Sequence, residues 1–449
     1  MWQYGLMQSE SSFVSKPHSA GPRHAAIRRR ASTLRAASCA ATGLVALALG
    51  VAACSSTSSH STSPTTLPPP EGLPSFYSTP KTYSHTPGTL VKYERVPASG
   101  VDGTAYRVMY VSRSEQEKPE LVTGLVYVPN TTPPAGGFPV VSWAHGTNGM
   151  APQCAPSLDA SNAVPSINAL LNAGWEVTAS DYQGEGTAGL LPYLVGNVAA
   201  QNTIDIVKAV GNLAVAHASA DYVVWGHSEG GQTAMFTWDI GRSYGTGLQL
   251  KGVVAGAPPS QFAYIYSFLK TSRYRYYVLM AAVGMNEAYG SAAAPLNEVA
   301  SPLAMKLLPI LSKGCYNYVA NHADRYTMAQ LVPKDPFTVP AWHKIIMAND
   351  PENFATPTGV PLLLIQGTKD KQIPVISTQF LAQHLCKIGA GVQRWLYPGM
   401  SHTGVIAPST PDMVQWIKDR FANQPVPDPY KPHGMAGVMA MDCQTGFPQ

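Results

Sequence analysis

The stretch Gly226-His227-Ser228-Glu229-Gly230-Gly231 leaves this chain the fewest ways to fold. It fits the pattern G-x-S-x-G, and its flanks give the pattern meaning. A short β-prone apolar run, Asp221-Tyr222-Val223-Val224-Trp225, leads in, and residues 232–238, helical in composition and free of breakers, lead out. Strand, sharp turn and helix together hold a serine on a strained turn with its Oγ exposed. The glycines answer a steric need, because neighbouring backbone passes where a Cβ would sit. The bare pentapeptide also occurs in plain loops, so the rest of the chain has to decide.

From about Leu90 the pattern is regular. Residues 105–112 and 121–128 are β-rich runs around a charged turn and predict a hairpin. Residues 138–144 are apolar almost throughout, as in a strand covered on both faces. A helix is expected over 164–173, a strand over 175–179, a helix over 197–218 and a strand over 250–256. In the third of these Ile204, Val207, Val210, Leu213 and Ala214 fall at helical spacing. Strands alternating with helices indicate an open, mostly parallel sheet with helices on both faces. The alternation stops over about 258–357, where Tyr, Ala, Leu and Met predominate and helices are expected at 261–270 and 303–311. This predicts a helical insertion. The sheet resumes at 361–367, followed by a helix over 376–388, a strand over 392–397 and a helix over 411–421.

A serine hydroxyl needs a base to take its proton, and that base needs a carboxylate to fix its tautomer. In the chain order Ser, acid, His, Asp370 lies just past the strand over 362–367, and His402 just past the strand over 392–397. An open sheet presents its ligand-binding residues at such strand ends. Singly, Asp370 could cap a helix and His402 could be a solvated histidine; three such residues in order at strand ends point to Ser228, Asp370 and His402 as a triad. Asp239, Asp335 and Asp350 lack a buried strand at the right distance, and His343, His384 and His433 fall in insertion, helix and tail. A developing oxyanion needs preorganised N–H donors. The expected ones are the N–H of Glu229, directly after the serine, and that of Thr147 in the loop His145-Gly146-Thr147-Asn148-Gly149, with Gly146 next in line. The loop over 181–186 is expected to shape the pocket rim.

The first 53 residues read as an export signal. Arg23, Arg28, Arg29, Arg30 and Arg35 precede an apolar run over 40–53 that is too short to span a bilayer. The run ends Val51-Ala52-Ala53-Cys54, resembling a bacterial lipobox in which Cys54 would be lipidated and hold the protein on a membrane. Residues 54–80, dense in Ser, Thr and Pro, predict an extended tether, leaving 81–449 as the catalytic domain with the insertion at about 258–357. The net charge of +4 owes much to the arginines at the start, and no basic patch elsewhere interleaves with aromatics, so no nucleic-acid partner is expected. In an exported chain Cys154, Cys315, Cys386 and Cys443 favour disulfides, with three pairings open. No C-x-x-C spacing supports a metal site.

His145-Gly146-Thr147, residues 181–186, residues 226–231, Gly367-Thr368-Lys369-Asp370 and Ser401-His402 together resemble the secretory lipase family of α/β-hydrolases, known from yeasts and actinobacteria. The resemblance runs from about Leu90 to the C-terminus. It implies hydrolysis of acyl esters, triacylglycerols or related lipids, by the three triad residues without metal or organic cofactor. It also implies that the insertion caps the acyl site, with Tyr264, Tyr266, Phe268, Leu269 and Met280 as acyl contacts. For the cysteines it favours Cys154–Cys315 and Cys386–Cys443. The lipobox and tether depart from the yeast members. Two rival readings stand beside this one: a serine peptidase or acyltransferase on the same fold, and a non-catalytic surface binding protein.

Overall fold

The computed structural model describes residues 66–426 and 432–447. The expected export signal and Cys54 lie outside them. Ten strands form one sheet: β1 (Leu90–Val96), β2 (Gly103–Arg113), β3 (Pro119–Pro129), β4 (Phe138–Ala144), β5 (Glu176–Ser180), β6 (Ala218–His227), β7 (Gln249–Gly256), β8 (Leu362–Gly367), β9 (Val392–Tyr397) and β10 (Met439–Asp442). Their spatial order is β10-β9-β8-β7-β6-β4-β5-β3-β2-β1. The six strands from β9 to β5 pair in parallel, while β1, β2 and β3 add an antiparallel meander at one edge and β10 an antiparallel strand at the other. This is the α/β-hydrolase arrangement, mostly parallel and covered on both faces.

Alternation along the parallel strands feeds two cores. Val140 and Ala144 of β4 and Val224 of β6 face one, Val141, Trp143, Val223 and Trp225 the other. Trp143 and Trp225 stand at matched register with ring centroids 4.4 Å apart. The first core is covered by α2 (Gly196–Val210), α3 (Glu229–Tyr244) and α11 (Val375–Lys387), the second by α1 (Ile167–Asn172) and α12 (Ile406–Phe421). Every residue of β5, β8 and β9 is buried, including the polar Glu176, Thr178, Gln393 and Arg394.

Between β7 and β8 the chain makes seven α-helices and no strand: α4 (Phe262–Leu269), α5 (Tyr276–Tyr289), α6 (Pro302–Leu307), α7 (Pro309–Lys313), α8 (Tyr316–Ala323), α9 (Met328–Leu331) and α10 (Pro340–Ala348). Prolines open α6, α7 and α10, where a missing N–H costs nothing. The insertion is closed on itself by Asp350, which accepts from the N–H groups of Gln261 and Phe262 at the start of α4.

From Thr66 the stretch expected as a tether is built into the domain. Two-residue strands Thr66–Leu67 and Thr79–Pro80 pair, and the segment between them carries Phe76 and Tyr77 into the domain, Tyr77 with no exposed surface. Its hydroxyl bonds Ser157 Oγ at 2.7 Å, and Arg107 lies over both rings. Two adjacent aromatics outweigh the Ser/Thr/Pro composition around them. Among the described residues no helix is long and apolar enough to cross a membrane.

Candidate active site

Ser228 sits between β6 and α3 with φ 60° and ψ −123°, a strained backbone for a residue with a Cβ. Its N–H donates to Gly256 O at 2.8 Å, and its carbonyl accepts from Gln232 at 3.1 Å, so the turn is fastened on both sides. The glycines let the backbones touch. A Cβ on Gly226 would lie 1.9 Å from Gly230 O, and one on Gly230 would lie 1.9 Å from Ala144 O.

Asp370 and His402 come together across the ends of β8 and β9. The two loops are tied by the Lys369 N–H to Met400 O at 2.9 Å and the Gly399 N–H to Thr368 Oγ1 at 2.8 Å. His402 Nδ1 lies 2.7 Å from Asp370 Oδ2. The other carboxylate oxygen accepts from the N–H groups of Gln372 and Ile373 at 2.9 and 3.0 Å, and Gln366 Nε2 donates to Oδ2 at 3.2 Å. Burial pushes this carboxyl up, but the His402 hydrogen bond and charge and the two N–H donors outweigh it and hold Asp370 below its ordinary value. It is an ionised acceptor that selects the tautomer with Nδ1–H. The opposite nitrogen, Nε2, is buried and makes no hydrogen bond to the protein. The His402 ring packs against that of His227, the residue before the serine, with centroids 4.8 Å apart.

The loop after β4 passes against the elbow: a Cβ on Gly146 would lie 3.4 Å from the Cβ of Ser228. Among the described residues the backbone N–H groups of Thr147 and Glu229 donate to no protein acceptor, which leaves both for a ligand. The loop is also stapled to the insertion. Cys154 bonds Cys315 at the start of α8, and the Tyr316 N–H donates to Asn148 O at 2.6 Å. The second disulfide, Cys386–Cys443, fastens α11 to the segment after β10. Both pairings are those that the family resemblance implies.

Ser228 opens into a cavity of about 110 Å³ whose walls are mostly apolar. Phe262 and Ile265 of α4, Tyr277 and Ala282 of α5 and Trp342 of α10 line it, with Tyr193 and Ile373 from the sheet domain. The insertion therefore roofs the serine and supplies most of the wall.

The model of the secretory lipase family matches residues 157–428, more than half of the chain. The chain belongs to the secretory lipase family. It is 23% identical over 375 residues to a Mycobacterium tuberculosis protein named a "probable inactive lipase", covering 79% of this chain and 83% of that one. With a secreted triacylglycerol lipase of Malassezia globosa it shares 23% identity over 397 residues and 80% of each chain. Among solved structures, Candida antarctica lipase A superposes with a TM-score of 0.67 at 18% identity, over 80% of this chain and 87% of that one.

As acyl contacts in this member of the family, Tyr264 and Phe268 fail on geometry. Tyr264 is 45% exposed with its ring edge-on to Phe380, and neither it nor Phe268 reaches the cavity. Helical phase is the reason. Phe262, Ile265, Tyr266 and Leu269 form the inward stripe of α4, and positions 264 and 268 fall on its other side. Met280 is fully buried in the core that insertion and sheet share and does not line the cavity, whereas Tyr266 and Leu269 do.

The loop over 181–186 is no rim either. Asp181, Tyr182 and Glu185 have no exposed surface and lie beneath the site, where Asp181 accepts from Ser157 N–H and Thr123 Oγ1. His145 stacks on Tyr182, and burial lowers it to about 4, so it is neutral. Three residues escaped the sequence reading: Gln372, whose Oε1 accepts from Tyr277 OH at 2.9 Å and so joins insertion to triad loop; Tyr193; and the Glu229 side chain. The signal for Glu229 was present. No other charged residue occurs over Glu229–Trp238, and all ten residues of that stretch are buried.

Proposed function

We propose that this chain is a serine carboxylic-ester hydrolase, cleaving lipid acyl esters through an acyl-enzyme on Ser228. The observation that carries the reading is the coincidence of Ser228 on a strained turn, an Asp370–His402 pair beside it, and an apolar cavity opening on the serine alone among hydroxyls of the elbow. Ser228 Oγ attacks the ester carbonyl as His402 Nε2 takes its proton. The N–H groups of Glu229 and Thr147, with Gly146 beside them, receive the oxyanion. Collapse breaks the bond to the alkoxy oxygen, and His402 returns the proton to the departing alcohol. Water, deprotonated by His402, then releases the acid and restores the serine.

The cavity supports a long hydrocarbon rather than a peptide: a carbon chain leaves no polar group stranded there, while an amide backbone would strand several. Each methylene buried is worth about 0.8 kcal/mol, roughly a fourfold gain in kcat/KM until the space is filled. Export through the signal and lipidation of Cys54 would put this activity on the outer face of a membrane. The "probable inactive" name of the mycobacterial relative gives the binder reading its one support. Hydrolysis of p-nitrophenyl esters from C2 to C16 decides between them. The wild type should turn over with kcat/KM rising along the series, and Ser228→Ala should lose on the order of 10⁴-fold or more. Equal background from both proteins would return the binder to first place.

A further inference from the structure

Tyr277 stands in the first turn of α5 and lines the cavity into which Ser228 opens, yet its hydroxyl is spent on the protein rather than left to the cavity. It donates to Gln372 Oε1 at 2.9 Å. Gln372 comes two residues after Asp370, and its own N–H donates to Asp370 Oδ1 at 2.9 Å. Asp370 Oδ2 lies 2.7 Å from His402 Nδ1. Three hydrogen bonds, each sharing a residue with the next, thus run from a helix of the insertion to the imidazole of His402.

The loop that carries Asp370 needs such anchors. Residues 368–374 form neither helix nor strand, and Lys371 within them is exposed. From the sheet side Gln366 of β8 holds the loop, donating to Asp370 Oδ2 at 3.2 Å and to Ile373 O at 2.9 Å. From the insertion side Tyr277 holds Gln372, the residue whose N–H fixes Oδ1. A carboxylate is planar, so where Oδ1 is fixed decides how Oδ2 meets the imidazole. Tyr277 is itself held: its ring lies 4.9 Å from that of Tyr276 and 6.1 Å from that of Tyr316, centroid to centroid. Tyr276 OH donates to Tyr316 OH at 3.0 Å, and Tyr316 is fastened to the oxyanion loop through its N–H and the neighbouring Cys154–Cys315 bond. A hydrogen bond does not reach much beyond 3.2 Å, so a shift of α5 by an ångström or two would break the contact to Gln372.

We infer that Tyr277 is a positioning residue: through Gln372 it holds Asp370 in the orientation that His402 requires, so the triad is aligned while α5 lies over Ser228. The inference rests on the triad reaction proposed above. It gives the insertion a part in the chemistry besides walling the cavity, since misplacing a reacting group by about 1 Å costs on the order of 10²-fold in rate.

The test compares kcat and KM for p-nitrophenyl acetate and octanoate, using the full chain and its Tyr277→Phe, Gln372→Met, doubly substituted and Ser228→Ala variants. Phenylalanine keeps the ring and methionine the length, so each removes little but the hydrogen bond. An acetyl group has one methyl beyond the carbonyl and fills almost none of the cavity. Tyr277→Phe should lower kcat roughly three- to thirtyfold on both esters, with KM for the acetate little changed. Gln372→Met should lose as much, and the double variant no more than either single one, because all three lack the same bond. Wild-type kcat on the acetate in either single variant, losses confined to the octanoate, or losses that multiply in the double variant would overturn the inference while leaving the serine reaction intact. A wild type no faster than Ser228→Ala would overturn the nucleophile and this inference with it.

Discussion

Gly230 stands where the elbow has no slack, because its α-hydrogen faces the Ala144 carbonyl at a distance that admits no carbon. The clashing atoms on Gly226 and Gly230 are backbone in strands and helix, which cannot swing aside. Gly230→Ala should therefore destabilise the protein by ~3 kcal/mol or more and abolish turnover, measured by denaturant unfolding alongside ester hydrolysis. The buried acids make a second residue-scale prediction. Burial raises Asp181 to about 6, Asp350 to about 7 and Glu229 to about 8. Each holds its proton more firmly folded than unfolded. Its contribution to stability is thus complete below the ordinary carboxyl range near pH ~4 and is lost as pH rises through those values. Tm should fall between pH 5 and pH 9 by on the order of several degrees, and by less in Glu229→Gln. A Tm that rises over that span would contradict the assignment of these groups as neutral acids.

At the scale of elements, α4 and α5 set what the serine can reach. Ala282 lies in the cavity wall on α5, and a phenylalanine there would occupy space needed by the far end of a chain. Ala282→Phe should move the preferred p-nitrophenyl ester to a shorter acid, while Tyr264→Ala, on the outer side of α4, should leave the profile unchanged. Much of this layout was legible in the sequence. β4 and β8 are short, largely apolar runs with both faces covered, and β4 and β9 fall at the expected bounds. Where the reading erred, periodicity was outvoted. The helix expected to 218 ends at Val210, because Leu213 and Ala216 are buried by a turning chain rather than a helix. Pro309 divides the single helix expected over 303–311 into α6 and α7. Pro411, read as the start of the last helix, lies inside α12. The triad loops could be read because each follows a strand; the inward stripe of α4 could have been, since its period is in the sequence. The Thr147–Tyr193 hydrogen bond could not, because its two residues come from loops whose meeting depends on the whole sheet.

At the scale of the molecule the insertion is not a free lid, for Cys154–Cys315 and the Tyr316–Asn148 hydrogen bond fasten α8 to the oxyanion loop. Cys386–Cys443 lies at the far edge of the sheet, between α11 and the segment after β10. Both bonds restrict the unfolded chain, and losing either should cost about 2–4 kcal/mol. Only the first touches the site. Cys315→Ser should lower kcat as well as Tm, and Cys386→Ser should lower Tm alone, read by thermal melts and ester turnover on the same samples. The central claim is that Ser228 is an activated nucleophile under the insertion. Its most direct test is labelling of the full chain with an alkyl fluorophosphonate, followed by peptide mass mapping. The account predicts one adduct, on Ser228, growing in step with loss of esterase turnover and slowed at least about 10³-fold in His402→Ala. An unlabelled Ser228, or an adduct on another residue that removes the activity, would contradict it.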